Sequence, residues 1–379
     1  MYQRSIGSAF NGKIQEIPGV WVDNFENVTS AKPRAYFLSH CHSDHMQGLH
    51  SITLLDYLTK HNVYIYTTDL SAAIIDDEKR DPRIMEYVKV LKLGSSLITL
   101  PSIEDEAEIL VTVTLIPAGH SAGAVMFLFQ TVSYTVLFTG DFRINTSDVR
   151  KYAALHANGV PIKINAMYVD TTFIDYAYED FPKRSESVDV LLRELDQWLN
   201  NGTVNRGVAL HTSAKYGYEF VFNEIYKRLG VKVYVDEDRW KFYRLIPHLV
   251  PGVTNDSKHT KIHLCTKRTE NNHITCIPNN YPQFLYVHLS AMKWTNYSPN
   301  LKSVVHVTQT RMDVCFATHC SRSELMYFVN YFSPDKIVGF PNPFVDRRGV
   351  KRKIVKACDG QTEIREKKLD KGLLKEIFG

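Results

Sequence analysis

His40-Cys41-His42-Ser43-Asp44-His45 decides how this chain is read. Four metal-ligand side chains, His40, His42, Asp44 and His45, fall within six residues, directly after the apolar run Tyr36-Phe37-Leu38. A strand ending there delivers all four into one tight loop. Imidazole and carboxylate are ligands that suit zinc and similar divalent ions. Imidazoles and a carboxylate this crowded are hard to stabilise without a cation.

A binuclear site needs more ligands than this cluster holds, and two later strand ends offer them. Pro117-Ala118-Gly119-His120 follows the apolar run Ile109 to Ile116, and Phe138-Thr139-Gly140-Asp141 follows Tyr134 to Phe138. Alone, His120 reads as a structural histidine and Asp141 as a turn residue. Beside His40 to His45 both read as ligands, because strand ends that converge on one sheet edge let loops carry chemistry on a rigid scaffold.

The 379 residues can bury a large core and predict two domains or more. A hydrophobic content of 44% with 23% charged residues is ordinary globular composition. The net charge of +4, from 45 basic and 41 acidic residues, permits an anionic partner without demanding one. Met1-Tyr2-Gln3-Arg4-Ser5 lacks a signal-peptide apolar core. No apolar run approaches the roughly 20 residues of a membrane span. Six cysteines, sparse and irregular, read as reduced thiols or ligands and point to an intracellular protein.

Residues 31–145 are rich in short strand-like runs such as Val63 to Tyr66 and Val125 to Phe129. From 160 to about 300, strands and helices alternate. Ala166 to Val169 precedes a helix over Ser187 to Leu199, and Val208 to Leu210 precedes a second over Lys215 to Leu229, stopped by Gly230. Such alternation predicts a parallel sheet with helices on its faces. Ser321 with Glu324 forms a capping-box pattern ahead of a third helix.

Taken in order, Ser39 to His45, Ala118-Gly119-His120 and Thr139-Gly140-Asp141 resemble the metallo-β-lactamase signature. Tyr168-Val169-Asp170-Thr171-Thr172-Phe173 resembles the next segment of the β-CASP nucleic-acid nucleases, and Ala317-Thr318-His319-Cys320-Ser321 a later one. Arg34 to His42, Val125 to Gln130 and Tyr216-Gly217-Tyr218-Glu219 narrow the likeness to the Artemis branch, over about residues 30–340. The resemblance implies an α/β fold: a metallo-β-lactamase αββα sandwich with an inserted β-CASP α/β domain. It divides the chain into 1–155 (first part of the sandwich), 156–310 (insert) and 311–379 (return to the sandwich plus a basic tail).

By the same resemblance, His40, His42, His120 and Asp141 hold one metal, and Asp44, His45 and Asp141 a second, with Asp141 bridging. Zinc is the expected ion at one or both positions, with Mg2+ or Mn2+ as alternatives for activity. Two such ions generate a metal-activated hydroxide and clamp a phosphodiester for in-line attack. Asp44 both ligates and orients the nucleophile. Asp170 is expected to hold a ligating histidine in the correct tautomer, and His319 to stabilise the transition state or protonate the leaving group. Asp44, Asp170 and His319 are thus the catalytic candidates.

Ser213-Ala214-Lys215-Tyr216 precedes the second helix, and a helix N-terminus with hydroxyls and a lysine is a natural phosphate site. Relatives that trim DNA from a 5′-phosphorylated end carry a lysine at the place of Lys215, which Artemis lacks. A 5′-phosphate pocket of Thr172, Ser213 and Lys215 follows. In Artemis-like chains two Cys and two His of the insert hold a structural zinc. His263, Cys265 and Cys276 match here, while Tyr234 stands in place of the second His; His273 is the candidate fourth ligand, with His259 as another.

RNA-processing members of the class carry a further histidine near the end of the insert, where Lys336 to Phe340 offers Ile337 and Val338. That favours DNA. His120-Ser121-Ala122-Gly123-Ala124 looks closer to RNA-type relatives, which keeps an RNA-processing endonuclease as the alternative. Arg347 to Lys353 is a basic stretch suited to phosphate backbone or nuclear import. The expectation is a nuclear, monomeric, metal-dependent DNA nuclease. It acts endo- or 5′-exonucleolytically at ends, hairpins or single-strand/double-strand junctions, alongside DNA-repair proteins and without a membrane.

Overall fold

The computed structural model describes residues 11–26, 28, 32–78, 80–102, 107–200, 205–264 and 283–345. Two sheets stack face to face. The first has four parallel strands in chain order: β1 (Val20–Val22), β2 (Ala35–Phe37), β3 (Ile65–Thr67) and β4 (Val88–Val90). The second begins with an antiparallel run, β5 (Gly94–Leu100), β6 (Ile109–Pro117), β7 (Val125–Gln130) and β8 (Thr135–Phe138). After the small hairpin β9 (His156–Ala157) and β10 (Val160–Pro161), strand β11 (Ala166–Asp170) joins β8 in parallel.

The apolar pattern shows why these strands form a filled sandwich. A period of two sends alternate side chains to opposite faces. Phe127, Phe129, Val136, Phe138 and Tyr168 meet Val20, Val22, Ala35 and Phe37 between the sheets. Met126, Leu128, Leu137, Met167 and Val169 point the other way. Both faces are apolar, so both must be covered. Helix α1 (Ile52–His61) covers the first sheet with Leu54 and Leu58 against Tyr36 and Ile65. Each such side chain contributes about 1.5–3 kcal/mol when fully buried. The αββα architecture follows, and the expected fold class holds.

The second α/β unit carries a seven-stranded sheet. Its strands are β12 (Arg206–Thr212), β13 (Val233–Tyr234), β14 (Val253–Thr254), β15 (Ile262–Leu264), β16 (Gln283–Ser290), β17 (Val304–Thr308) and β18 (Arg311–Cys315). Their order is β14-β13-β15-β12-β16-β18-β17, parallel except for β17. Besides α2 (Asp69–Asp77) of the sandwich, three helices pack here: α3 (Arg184–Asn200), α4 (Glu219–Leu229) and α5 (Glu237–Tyr243). Val188, Leu191, Leu195, Val221 and Ile225 lie against Val208, Leu210, Val287 and Val314. Leu70 and Ile74 of α2 enter the same core, and Arg244 pairs with Asp77, so the two units share buried surface.

The chain then returns. Helix α6 (Arg322–Phe332) starts at the expected capping box, with Ser321 and Glu324 satisfying each other's backbone N–H. It covers the outer face of the second sheet through Leu325, Phe328 and Val329. Strand β19 (Lys336–Phe340) pairs in parallel with β11.

The structure shifts three sequence expectations. β11 belongs to the sandwich and β18 to the insert, so the crossings lie after Asp170 and after Cys315, not at 156 and 310. Parallel strands find partners far away in sequence, and the local pattern does not say which sheet they join. The helix expected from Lys215 starts at Glu219. Gly217 explains the delay: its φ is +104°, and a Cβ there would sit 3.1 Å from the His120 carbonyl oxygen. Residues 213–218 are therefore a loop pressed against the sandwich. Among the described residues, no helix is long and apolar enough to cross a membrane.

Candidate metal centre

Strand ends from both units meet at one place. Asp23 follows β1, His40 to His45 follow β2, His120 follows β6, Asp141 follows β8, Asp170 ends β11 and His319 follows β18. Gly140 makes the tight turn into Asp141 at φ +52°, where a Cβ would lie 2.8 Å from Ser39 Oγ.

Three imidazole nitrogens converge. His42 Nδ1 lies 3.1 Å from His40 Nε2 and 3.0 Å from His120 Nε2. Asp141 Oδ2 lies 3.7 Å from His40 Nε2 and 3.6 Å from His120 Nε2. His40, His42, His120 and Asp141 thus bring four ligand atoms within 4.8 Å of one another.

The tautomers follow from the outer partners. His120 Nδ1 is 3.0 Å from the Thr318 carbonyl, which only accepts, so Nδ1 carries the proton and Nε2 a lone pair. Ser39 Oγ donates its one proton to Asp23 at 2.6 Å, so at 2.9 Å it accepts from His40 Nδ1. The Nε2 atoms of His40 and His120 therefore present lone pairs towards His42 Nδ1. Lone pairs this close repel unless a proton on His42 Nδ1 or a metal ion sits among them. The donor set fits a divalent ion.

A second group adjoins the first. Asp141 turns Oδ1 to His45 Nε2 at 3.3 Å, and Asp44 Oδ2 lies 3.7 Å from the same nitrogen. Asp44 is exposed, His45 nearly buried. Asp141 thus directs one oxygen to each group, the disposition a bridging ligand needs.

Asp23 was not anticipated. Its Oδ2 accepts from His45 Nδ1 at 2.9 Å, and its Oδ1 from the Ser39 backbone N–H at 2.7 Å. It is the outer carboxylate that orients His45 directly and His40 through Ser39. The available signal was Asp23 at the end of the apolar run Val20-Trp21-Val22, the same strand-end pattern that exposed Asp141.

The side-chain electrostatics divide the two groups. Burial pushes His40 and His120 well below the usual histidine range, and neighbouring imidazoles push the same way. Burial brings His42 down to about 4. Burial also opposes a proton on His45, but Asp141 and Asp23 outweigh it and raise that imidazole well above its ordinary value. Burial opposes charge on Asp141, and His45 and His319 outweigh it, holding the carboxyl well below the carboxylate range.

Asp170 takes a different partner from the one expected. Its Oδ2 lies 2.8 Å from His319 Nδ1, so it orients His319 instead of a ligating histidine, a role Asp23 fills. His319 Nδ1 is 3.9 Å from Asp141 Oδ2, at the rim of the metal-facing group. Burial works against a proton on His319, but Asp170 and Asp141 carry it up to about 8.

The three phosphate-pocket candidates are already engaged or outlying. Thr172 Oγ1 donates to Asp170 Oδ1 at 2.6 Å. Ser213 Oγ shares a 2.6 Å hydrogen bond with Tyr218 OH. Lys215 is exposed, with Nζ 5.3 Å from the centre of the Tyr216 ring. Lys215 is not on a helix first turn, since α4 begins later. Its loop still reaches the centre, because the Tyr216 ring lies parallel to His42 with 6.0 Å between centroids.

Of the structural-zinc candidates, Cys265, His273 and Cys276 lie outside the described residues. His263 is buried, and its Nε2 donates to the Thr260 carbonyl at 3.0 Å. Tyr234 pairs with it across the sheet, ring to ring at 5.2 Å. His259 is bound to Asp256.

Comparison with known proteins identifies the family. A family model described as DNA repair metallo-beta-lactamase matches residues 247–343. The chain is 32% identical to protein artemis of Homo sapiens over 349 residues, which cover 88% of this chain and 49% of that protein. It is 28% identical over 342 residues to the DNA cross-link repair 1A protein of Gallus gallus, covering 86% of this chain and 32% of the relative. The chain thus spans about half the length, or less, of the curated relatives it matches. A crystal structure of a protein of unknown function from Enterococcus faecalis V583 superposes with a TM-score of 0.50 at 16% identity. The overlap covers 81% of this chain and 75% of that one, and it shows a shared fold.

Proposed function

We infer that this chain, which belongs to the Artemis-like metallo-β-lactamase/β-CASP family, is a metal-dependent DNA nuclease that hydrolyses phosphodiester bonds near DNA ends, hairpins or overhangs. The observation that carries the reading is the convergence of His40 Nε2, His42 Nδ1 and His120 Nε2 on a point that Asp141 also faces. His40, His42, His120 and Asp141 would hold one ion, and Asp44, His45 and Asp141 a second. Three imidazoles favour zinc at the first, and two carboxylates with one imidazole at the second suit zinc, with Mg2+ or Mn2+ as activating alternatives. When bound, such ions supply Lewis acidity and an acidified water able to attack phosphorus.

The side chains do the rest. Asp44, exposed beside His45, orients the attacking water and accepts its proton. Asp141 keeps its charge across the working pH range because His45 and His319 favour the carboxylate. His319, with a pKa of about 8, is mostly protonated at neutral pH. Asp170 fixes its Nδ1–H, so Nε2–H is the proton it offers to a phosphoryl oxygen or leaving group. Thr172 in turn steadies Asp170. Lys215 is the candidate contact to a terminal 5′-phosphate, with Ser213 on the same loop.

DNA is favoured over RNA by Ile337 and Val338 at the position where RNA-processing members carry histidine, and by the names of the relatives. The same reading takes in a nuclear location, a monomer, contact with DNA-repair proteins, and a zinc in the insert held by His263 with Cys265, Cys276 and His273. Elemental analysis tests that zinc, which should survive Asp141→Ala and be lost in Cys265→Ala. A gel assay tests the activity, with 5′-phosphorylated single-stranded DNA, hairpin DNA and matched RNA, each with and without chelator. Cleavage of DNA that chelator and Asp44→Ala both abolish is the expected result; cleavage of RNA alone would sink it.

A further inference from the structure

Two guanidinium groups lie beneath the loops that carry His120 and His319, and the chemistry above uses neither. Arg184, the first residue of α3, donates from Nε to the Ala317 carbonyl at 2.9 Å and from Nη1 to the Gly119 carbonyl at 2.8 Å. Gly119 directly precedes His120, and Ala317 lies two residues before His319. Arg143 donates to the same Ala317 carbonyl at 3.1 Å and is itself held by Glu324.

The two loops come from different units. The His120 loop leaves β6 of the sandwich; the His319 loop leaves β18 of the insert. A third link crosses the same seam, from His120 Nδ1 to the Thr318 carbonyl at 3.0 Å. One planar group with donors in fixed directions thus ties the backbone beside a metal-facing histidine to the backbone beside the proton donor. Lysine, a single point charge on a flexible stem, cannot hold both carbonyls in that way.

Placing this cation here is costly. Burial and the neighbouring Arg143 pull Arg184 down to about 9. Its Nη2 is buried with no hydrogen-bond partner among the described residues, and its guanidinium sits over Phe316 at 5.4 Å. Arg184 is half-buried, and its hydrogen bonds go to carbonyls, so its partial desolvation is not offset by a direct ion pair.

We propose that Arg184 is a positioning residue that sets His319 against the His120 side of the metal centre. The proposal rests on reading that centre as a phosphodiester hydrolase. It predicts that Arg184→Ala lowers kcat on single-stranded DNA by about tenfold to a hundredfold, the scale of a misplacement near 1 Å. KM should stay within about twofold, since the residue acts on positioning and not on substrate binding. Cobalt(II) loaded into the variant should give the wild-type absorption spectrum, because the ligands themselves are untouched. Guanidinium ion at millimolar concentration should restore part of the rate.

Arg184→Lys should stay close to Arg184→Ala, and it carries the same readouts if the alanine variant does not fold. A wild-type rate in either variant overturns the proposal. So does a changed cobalt spectrum, which would make Arg184 part of the metal centre's own integrity, or failure of guanidinium to restore any rate to Arg184→Ala. Wild-type protein that cleaves no nucleic acid would count against the hydrolase reading instead.

Discussion

The histidines of the sandwich and the Ser213–Lys215 loop of the insert face the same centre but are built in opposite ways. His40, His45 and His120 are buried, and each has its Nδ1 fixed by an acceptor that lies just past a strand end, on Ser39, Asp23 or Thr318. Lys215 is exposed on a loop with no helix behind it. Prepaid orientation is what a centre needs when it must hold charge at fixed points. A side chain that greets variable substrate ends gains from staying loose. On the proposed reading the sandwich supplies the metal ligands, the insert supplies His319 and, through Lys215, end selection, and Arg184 sits at the seam between them.

Breaking the rigid half should have the largest effect. Asp141→Ala removes the carboxylate that faces both groups, and several kcal/mol of charge stabilisation corresponds to roughly a thousandfold or more in rate. Cleavage at background level, with less than the wild-type metal content by elemental analysis, is the expected result. Retention of both ions with near-normal cleavage would break the division outright.

Asp23→Ala leaves every ligand in place but frees His45 and the Ser39–His40 relay. Loss of such an outer partner costs about 10–100-fold in metal affinity or activity. Metal titration of the variant checks it, and an affinity equal to wild type would show that the loop geometry alone orients the imidazoles.

Acid should separate the two metal-facing groups. His40, His42 and His120 are neutral at physiological pH because burial disfavours their protons, so an ion there displaces none. The raised pKa of His45 means an ion beside it must displace a proton, and its affinity strengthens as pH rises. Lowering the pH from neutral should release the ion near Asp44 and His45 first, followed as metal per protein after desalting. Simultaneous loss of both would contradict the assignment.

The loose half should give the smallest effect. Lys215→Ala should keep metal content and the rate on 5′-hydroxyl DNA, while preference for a 5′-phosphate falls by roughly fivefold, the worth of an exposed charge contact of about 1 kcal/mol. An unchanged preference would remove the insert loop from end selection.

Much of this was legible in the sequence because one rule, a polar site residue just past an apolar run, covers His40, His120, Asp141 and Asp170, while His319 stood out just before the Ser321 capping box and by the β-CASP resemblance. The rule also covers Asp23, at the end of Val20-Trp21-Val22, but Asp23 acts as an outer partner of His45 and Ser39, and that role depends on how β1 and β2 pair. The partner of Asp170 was misassigned for a similar reason: whether a carboxylate meets His319 or a ligating imidazole depends on how two sheets abut. Lys215 looked helical because its neighbours are good helix formers, whereas Gly217 is committed to a close approach to the His120 carbonyl. The crossings between units lay hidden because β11 and β18 resemble the strands of either sheet. Arg184 carried no signal at all, since its acceptors are backbone carbonyls and any sequence has those.

The excursion of the chain through the insert before β19 also orders events during synthesis. All six side chains of the proposed metal sites lie at or before Asp141 in the chain. His319, and the Ala317 carbonyl that Arg184 grips, arrive only after the whole seven-stranded sheet has been laid down. A chain made only as far as Asp141 therefore carries the proposed ligands without His319, and without β11 and β19, which complete the second sheet.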